Sequence, residues 1–132
     1  MKKLIFSIIA IFCLIACSKE SSTTKPSIEV YGKWEVLKYE ELINDTVDYS
    51  YSGKQNDFIE FKEDKKYFLS IDKSYDGVLD SGTFEINGNS LLIDSTDIWV
   101  LTSETSTLAT LERSKIVQSN KERFVFYLSK LQ

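Results

Sequence analysis

The chain has 132 residues, with 16 Lys and Arg against 20 Asp and Glu, a formal net charge of −4 and no histidine. Such a length corresponds to a single domain, and the acidic balance excludes a basic stripe able to neutralise nucleic-acid phosphates. The missing histidine removes Ser-His-Asp and Cys-His nucleophile systems and the usual zinc sites together, so a non-enzymatic protein is expected.

The chain opens with Met1-Lys2-Lys3 and the apolar run Leu4–Ala16, followed by Cys17 and the polar stretch "SKESSTTKPS". The run falls short of the roughly 20 residues that a membrane-crossing helix needs and suits the apolar part of an export signal. Its end, Leu14-Ile15-Ala16-Cys17, resembles the lipobox of bacterial lipoproteins. That resemblance implies cleavage after Ala16, a diacylglycerol thioether on Cys17, and acylation of the new N-terminus by a fatty acyl group such as palmitate. Several acyl chains hold a protein stably at a membrane where one does so only marginally. Ser18 stands where an Asp would retain the protein at the inner membrane, so the outer membrane of a Gram-negative envelope is expected. "SKE", with Glu20, resembles the acidic tether of surface-exported lipoproteins, and the leaflet stays open. Cys13 lies within the removed segment, so no thiol is left for redox or nucleophilic chemistry.

The expected division is a signal peptide at 1–16, a lipidated Cys and flexible tether at 17–29, and one folded domain at 30–132. The tether is rich in Ser and Thr and holds the only proline, Pro26. Beyond it, short apolar runs alternate with turn residues, the pattern of antiparallel β structure. Strands are expected at 33–43, 57–63, 66–72, 78–86, 90–95, 97–103, 107–113 and 122–131. Ile59 and Phe61 against Glu60 and Lys62, and Gly82, Phe84 and Ile86 against Thr83 and Glu85, show the period of two. Hairpin turns are expected at 63–66, 74–77, 87–89 and 119–122, with Asn87-Gly88 suited to the positive φ of a type I′ turn. The stretch 44–56 is expected to be a loop at a barrel mouth or a short helix. Eight strands in sequence point to an all-β, antiparallel up-and-down barrel whose closure removes exposed edges.

The motif Gly32-Lys33-Trp34, with "FIEFKEDKKYFL" and "GTFEINGNSLLID" following in order, resembles the small bacterial lipocalin-like lipoproteins over about 30–131. The resemblance implies a calycin-type barrel in which Trp34, entered through Gly32, plugs the closed end. It also implies a C-terminal arginine over that indole, and Arg123 is the candidate. Thr96-Asp97 matches two residues of the superfamily's T-D-Y signature, with Ile98 in place of Tyr. The R-x-Y carboxylate clamp of the related fatty-acid-binding proteins is absent, because Val125 follows Arg123 by two.

The remaining candidates are aromatic and carboxylate side chains. Tyr49 and Tyr51 are expected at the mouth, as ligand or partner contacts or packed on the rim. Phe61, Tyr67, Phe84, Trp99 and Phe126 either fill the interior or line an apolar pocket with a few orienting polar groups. "NDTVDY" (44–49) and "DKSYDG" (72–77) space oxygen ligands alternately. The first lacks the turn Gly and bidentate Glu of a calcium loop, and the second reads as Asp-Gly turn chemistry. No metal and no cofactor are therefore assigned. The expected function is a membrane-anchored binding module for a small apolar ligand. The alternative is a filled barrel that acts through its outer surface on a protein partner the sequence does not name.

Overall fold

The structure is a computed structural model and describes residues 29–72 and 79–132. The signal segment, Cys17, the tether to residue 28 and the turn at 74–77 lie outside the described residues. Among the described residues nine strands follow one another: β1 (Gly32–Ile43), β2 (Thr46–Ser52), β3 (Phe58–Phe61), β4 (Lys66–Ser70), β5 (Leu79–Asn87), β6 (Ser90–Ile93), β7 (Asp97–Ser103), β8 (Leu108–Val117) and β9 (Asn120–Lys130). Neighbours in sequence pair antiparallel, except that β2 and β3 both pair with β1 instead of each other, and β9 returns to β1 to close the sheet.

The ninth strand does not add a ninth position. Gly32–Glu35 of β1 pair with β3, and Lys38–Ile43 pair with β2 on the same edge. β2 and β3 thus lie in line and share one place, leaving an eight-position antiparallel barrel. The stretch expected as a loop or helix, 44–56, is mostly this strand. The sequence "TVDYSYS" is rich in the β-branched and aromatic residues that favour strands. Asn44 and Asp45, with φ of 50° and 63°, form the tight turn into it.

The joint between β2 and β3 is seated on a bulge in β1. Val36 pairs with Leu128 and Lys38 with Tyr127, so Leu37 has no partner on β9. Gly53 N–H donates to the Leu37 carbonyl at 2.9 Å, and Val36 N–H donates to the Asp57 carbonyl at 3.0 Å. A Cβ on Gly53 would lie 1.7 Å from the Val36 carbonyl oxygen, so only glycine permits this approach. The bulge also shifts the alternation of β1 by one residue. Trp34 and Val36 face the core before it, whereas Tyr39 and Glu41 face inward after it.

Other boundaries differ from expectation, among them the end of β6 at Ile93, where Asp94 and Ser95 turn the chain with φ of 48° and 59°. The β5–β6 loop is Gly88-Asn89, between the paired Asn87 and Ser90, and Gly88 alone has positive φ (62°). Glycine at the first loop position fits a type II′ rather than a type I′ turn. β8 runs on to Val117, and its turn into β9 is Gln118-Ser119, with φ of 48° and 71°.

The closed half is packed solid. Trp34 is 1% exposed and lies in a cluster with Val36, Phe61, Phe84, Leu91, Leu101 and Leu128. Its indole N–H donates to the Val30 carbonyl at 2.9 Å, and Phe61 meets Phe84 edge-on at 5.0 Å. Gly32 opens β1 beside it with φ +113°. The residue over the indole is Lys130, whose ammonium lies 5.5 Å from the ring centroid. Arg123 does not cover Trp34. It pairs with Leu42, eight residues further along β1, and binds Glu112 through two N–H···O contacts of 2.8 and 2.7 Å and Asp45 at 3.1 Å. The correction follows from register: counted along β9, position 130 and not 123 reaches the Trp34 level.

Two outcomes follow from this packing. Trp34→Ala removes the largest wholly buried side chain and is expected to lower unfolding free energy by about 3–5 kcal/mol in urea titrations; a change under about 1 kcal/mol would contradict its role. The Arg123 guanidinium holds the Glu112 carboxyl below its ordinary 4.5, so the pair's contribution is full above that value and is lost as pH falls through the lowered one. Arg123→Gln should therefore cost about 1 kcal/mol or less at pH 7, the deficit shrinking as pH falls through the lowered value of Glu112.

Candidate functional site

The other half of the barrel is hollow. A cavity of about 600 Å³ is walled by Tyr39, Tyr49, Tyr51, Trp99, Phe124 and Phe126. Leu69 and Ile71 add aliphatic surface, and Glu41, Arg113 and Lys115 supply the charges. A second chamber of about 160 Å³ shares Leu69, Trp99, Arg113 and Phe126 with the first. It reaches down to Ile59, Phe61 and Leu111 and out to Asp80, Asp94 and Asp97.

Period-two alternation places these side chains. On β8, Ala109 and Leu111 belong to the core, and Arg113 and Lys115 continue the same face into the cavity. On β9 the matching face runs Leu128, Phe126, Phe124, and the last two pair with Leu111 and Arg113. The rings form a continuous wall: Tyr49 to Tyr39 at 6.3 Å, Tyr39 to Phe126 at 4.6 Å, Phe126 to Trp99 at 5.8 Å. Tilted contacts at these distances fix ring orientations better than simple burial does.

The polar groups of the wall are held in place. Tyr39 donates its hydroxyl proton to Glu41 at 2.9 Å, and burial, with that acceptor second, pushes its phenol above the ordinary range. The Arg113 guanidinium binds Asp97 at 2.6 Å, and Lys115 binds Glu122 at 2.9 Å while lying over the Phe124 ring. Asp57, only 2% exposed, accepts from the Tyr51 hydroxyl at 2.6 Å, Lys54 N–H at 2.7 Å and Asp72 N–H at 2.7 Å. One buried carboxylate thereby ties the end of β2, the joint and the exit of β4, and three charge-assisted bonds offset its desolvation. Burial raises the Tyr51 phenol as well, with Asp57 the second cause.

Of the residues expected to meet a ligand, Tyr49, Tyr51, Trp99 and Phe126 stand around the large chamber. Phe61 and Tyr67 line the small one. Phe84 lines neither; it is core at the closed end, 1% exposed. Tyr49 and Tyr51 act from a strand and not from a loop. Sequence reading missed Tyr39, Glu41, Arg113, Lys115 and Phe124 as cavity residues. Extending the alternation of β8 past Leu111 would have found Arg113 and Lys115, but the bulge at Leu37 hides Glu41 from any such count. Among the described residues no group of three or more carboxylates is arranged to hold a metal ion.

No curated protein shows a significant sequence match to the chain. The family described as the lipocalin-like domain matches residues 30–126, which covers the barrel from the Trp34 end to the cavity-lining part of β9. Closed topology, in-order strands and this match agree: the chain belongs to the lipocalin-like domain family.

Proposed function

We propose that the protein is a lipid-anchored envelope lipoprotein whose barrel binds a small, largely apolar molecule. One observation carries the binding part. Six aromatic side chains stand around about 600 Å³ of space, where packed cores leave few voids larger than a water. That volume lies within the range of small-molecule sites, and an apolar wall with a few fixed polar groups is their usual make-up. The reading is of a carrier and not a catalyst, since the chain has no histidine to serve as a general base near neutral pH. The anchoring part rests on the sequence Leu14-Ile15-Ala16-Cys17 behind a basic start and an apolar run, and the outer membrane is its expected site through Ser18.

Native mass spectrometry of the full chain from its producing cells, before and after denaturing extraction, tests the carrier reading. A stoichiometric adduct that extraction removes is expected. A bare mass in both would overturn the reading and leave the outer surface as the working part. For the anchor, Cys17→Ala should move the protein from the membrane pellet to the soluble fraction; retention through an alkaline wash would sink lipidation at Cys17.

A further inference from the structure

Arg113 borders both chambers, together with Leu69, Trp99 and Phe126. Its side chain is 28% exposed, and the guanidinium lies 5.9 Å from the Phe124 ring centroid, so a charged group stands among rings. Asp97 takes one of its N–H groups at 2.6 Å, and among the described residues no other hydrogen bond reaches it. A guanidinium carries several N–H donors in a planar fork. The one bond to Asp97 anchors that fork at the boundary, and the remaining donors are open to a molecule in the cavity.

The chambers differ in what they suit. Aromatic side chains ring the large one and favour a flat ring system. Ile59, Phe61, Ile93 and Leu111 line the small one and favour an aliphatic chain. A molecule that occupies both passes Arg113 between its two parts. A pure hydrocarbon would strip water from those N–H donors and return nothing, whereas an oxygen acceptor at that point restores the bond. The charge of Arg113 is already met by Asp97, and that of Lys115 by Glu122. Glu41, Asp80 and Asp94 also border the chambers. A carboxylate there would meet like charge, so an uncharged oxygen is the match.

We propose that the ligand is a ring system joined to an aliphatic chain through a carbonyl or similar neutral oxygen. The rings lie in the large chamber, the chain lies in the small one, and the oxygen accepts from Arg113. Arg113 is then the residue that sets specificity in a cavity otherwise selective for apolar character alone. This inference rests on the carrier reading and adds the ligand's layout to it.

The test uses four probes in equilibrium dialysis against the full chain: 2-hexanoylnaphthalene, 2-acetylnaphthalene, 2-hexylnaphthalene and ionised 2-naphthoic acid. The hexanoyl ketone is expected to bind about tenfold tighter than the acetyl ketone, with the acid weakest. Ile93→Trp, which fills the small chamber, should erase the longer ketone's advantage. Arg113→Met should weaken the hexanoyl ketone about tenfold and leave 2-hexylnaphthalene, which makes no such bond, within about twofold. Arg113→Lys, which keeps a donor beside Asp97, should restore much of the ketone's affinity. Each result is a ratio between probes on one protein, so a general loss of folding does not imitate it. Equal binding of the two ketones by the unaltered chain would overturn the two-chamber layout while the carrier reading stands. Tighter binding of the acid than of the acetyl ketone, or equal losses of ketone and hydrocarbon in Arg113→Met, would overturn the neutral acceptor at Arg113. Failure of all four probes to bind would count against the carrier reading itself.

Discussion

The structure turns on the bulge at Leu37 and the glycine that rests on it. Without the extra residue, the alternation starting at Trp34 would carry Lys38 and Glu40 into the barrel. With it, these two pair with each other at 2.5 Å on the outer face, where Glu40 also accepts from the Tyr127 hydroxyl. Tyr39 and Glu41 take the inward positions instead. The same bulge presents the Leu37 carbonyl to Gly53, so the chain can break one strand into β2 and β3 without leaving the edge of β1. One irregularity thus sets both the barrel's closure and the composition of its cavity.

From that point the two halves diverge in chemistry. Inward positions of the closed half carry aliphatic side chains and interlocked rings, which can exclude water and fill space. Inward positions of the other half carry Glu41, Arg113 and Lys115 between the rings. Ionised groups cannot be packed dry without heavy desolvation cost, so this half cannot collapse into a second core. Its ring wall stands around open space, braced by Asp57 at Tyr51 and by the ion pairs of Arg113 and Lys115. Hollowness here is a result of sequence and not a packing defect.

Much of this was legible in the residues alone. The strand runs, the up-and-down order and the burial of Trp34 follow from alternation, turn chemistry and the G-x-W motif. Tyr49 and Tyr51 were visible as candidates because amphipathic side chains in a stretch without a core-facing pattern suit a mouth or rim, although their strand was hidden by the intervening Ser and Asp. What stayed hidden has separate causes. A bulge breaks the period of two on which inward positions are counted, so Glu41 was lost; Phe84 lies on an unbroken strand, where alternation says that it points inward but not which end of the barrel it meets. The position of Arg123 depends on pairing across the closure between β1 and β9, a register that no local pattern encodes. Asp94 reaches Thr83 N–H and the Tyr67 hydroxyl only because Gly82 leaves room for it.

The ends of the barrel domain are tied together on one side of it. Lys130 reaches back to bind the Glu29 carboxylate at 3.0 Å, and Leu131 N–H donates to the Lys33 carbonyl at 2.9 Å. Glu29 and Val30 therefore enter at the Trp34 end, opposite the hollow half. A stretch from Cys17 to Glu29 extends at most about 40 Å, so a lipid at Cys17 would keep the barrel within that distance of the bilayer. That attachment leaves from the plugged base, so the rim of the aromatic chamber stays clear of it.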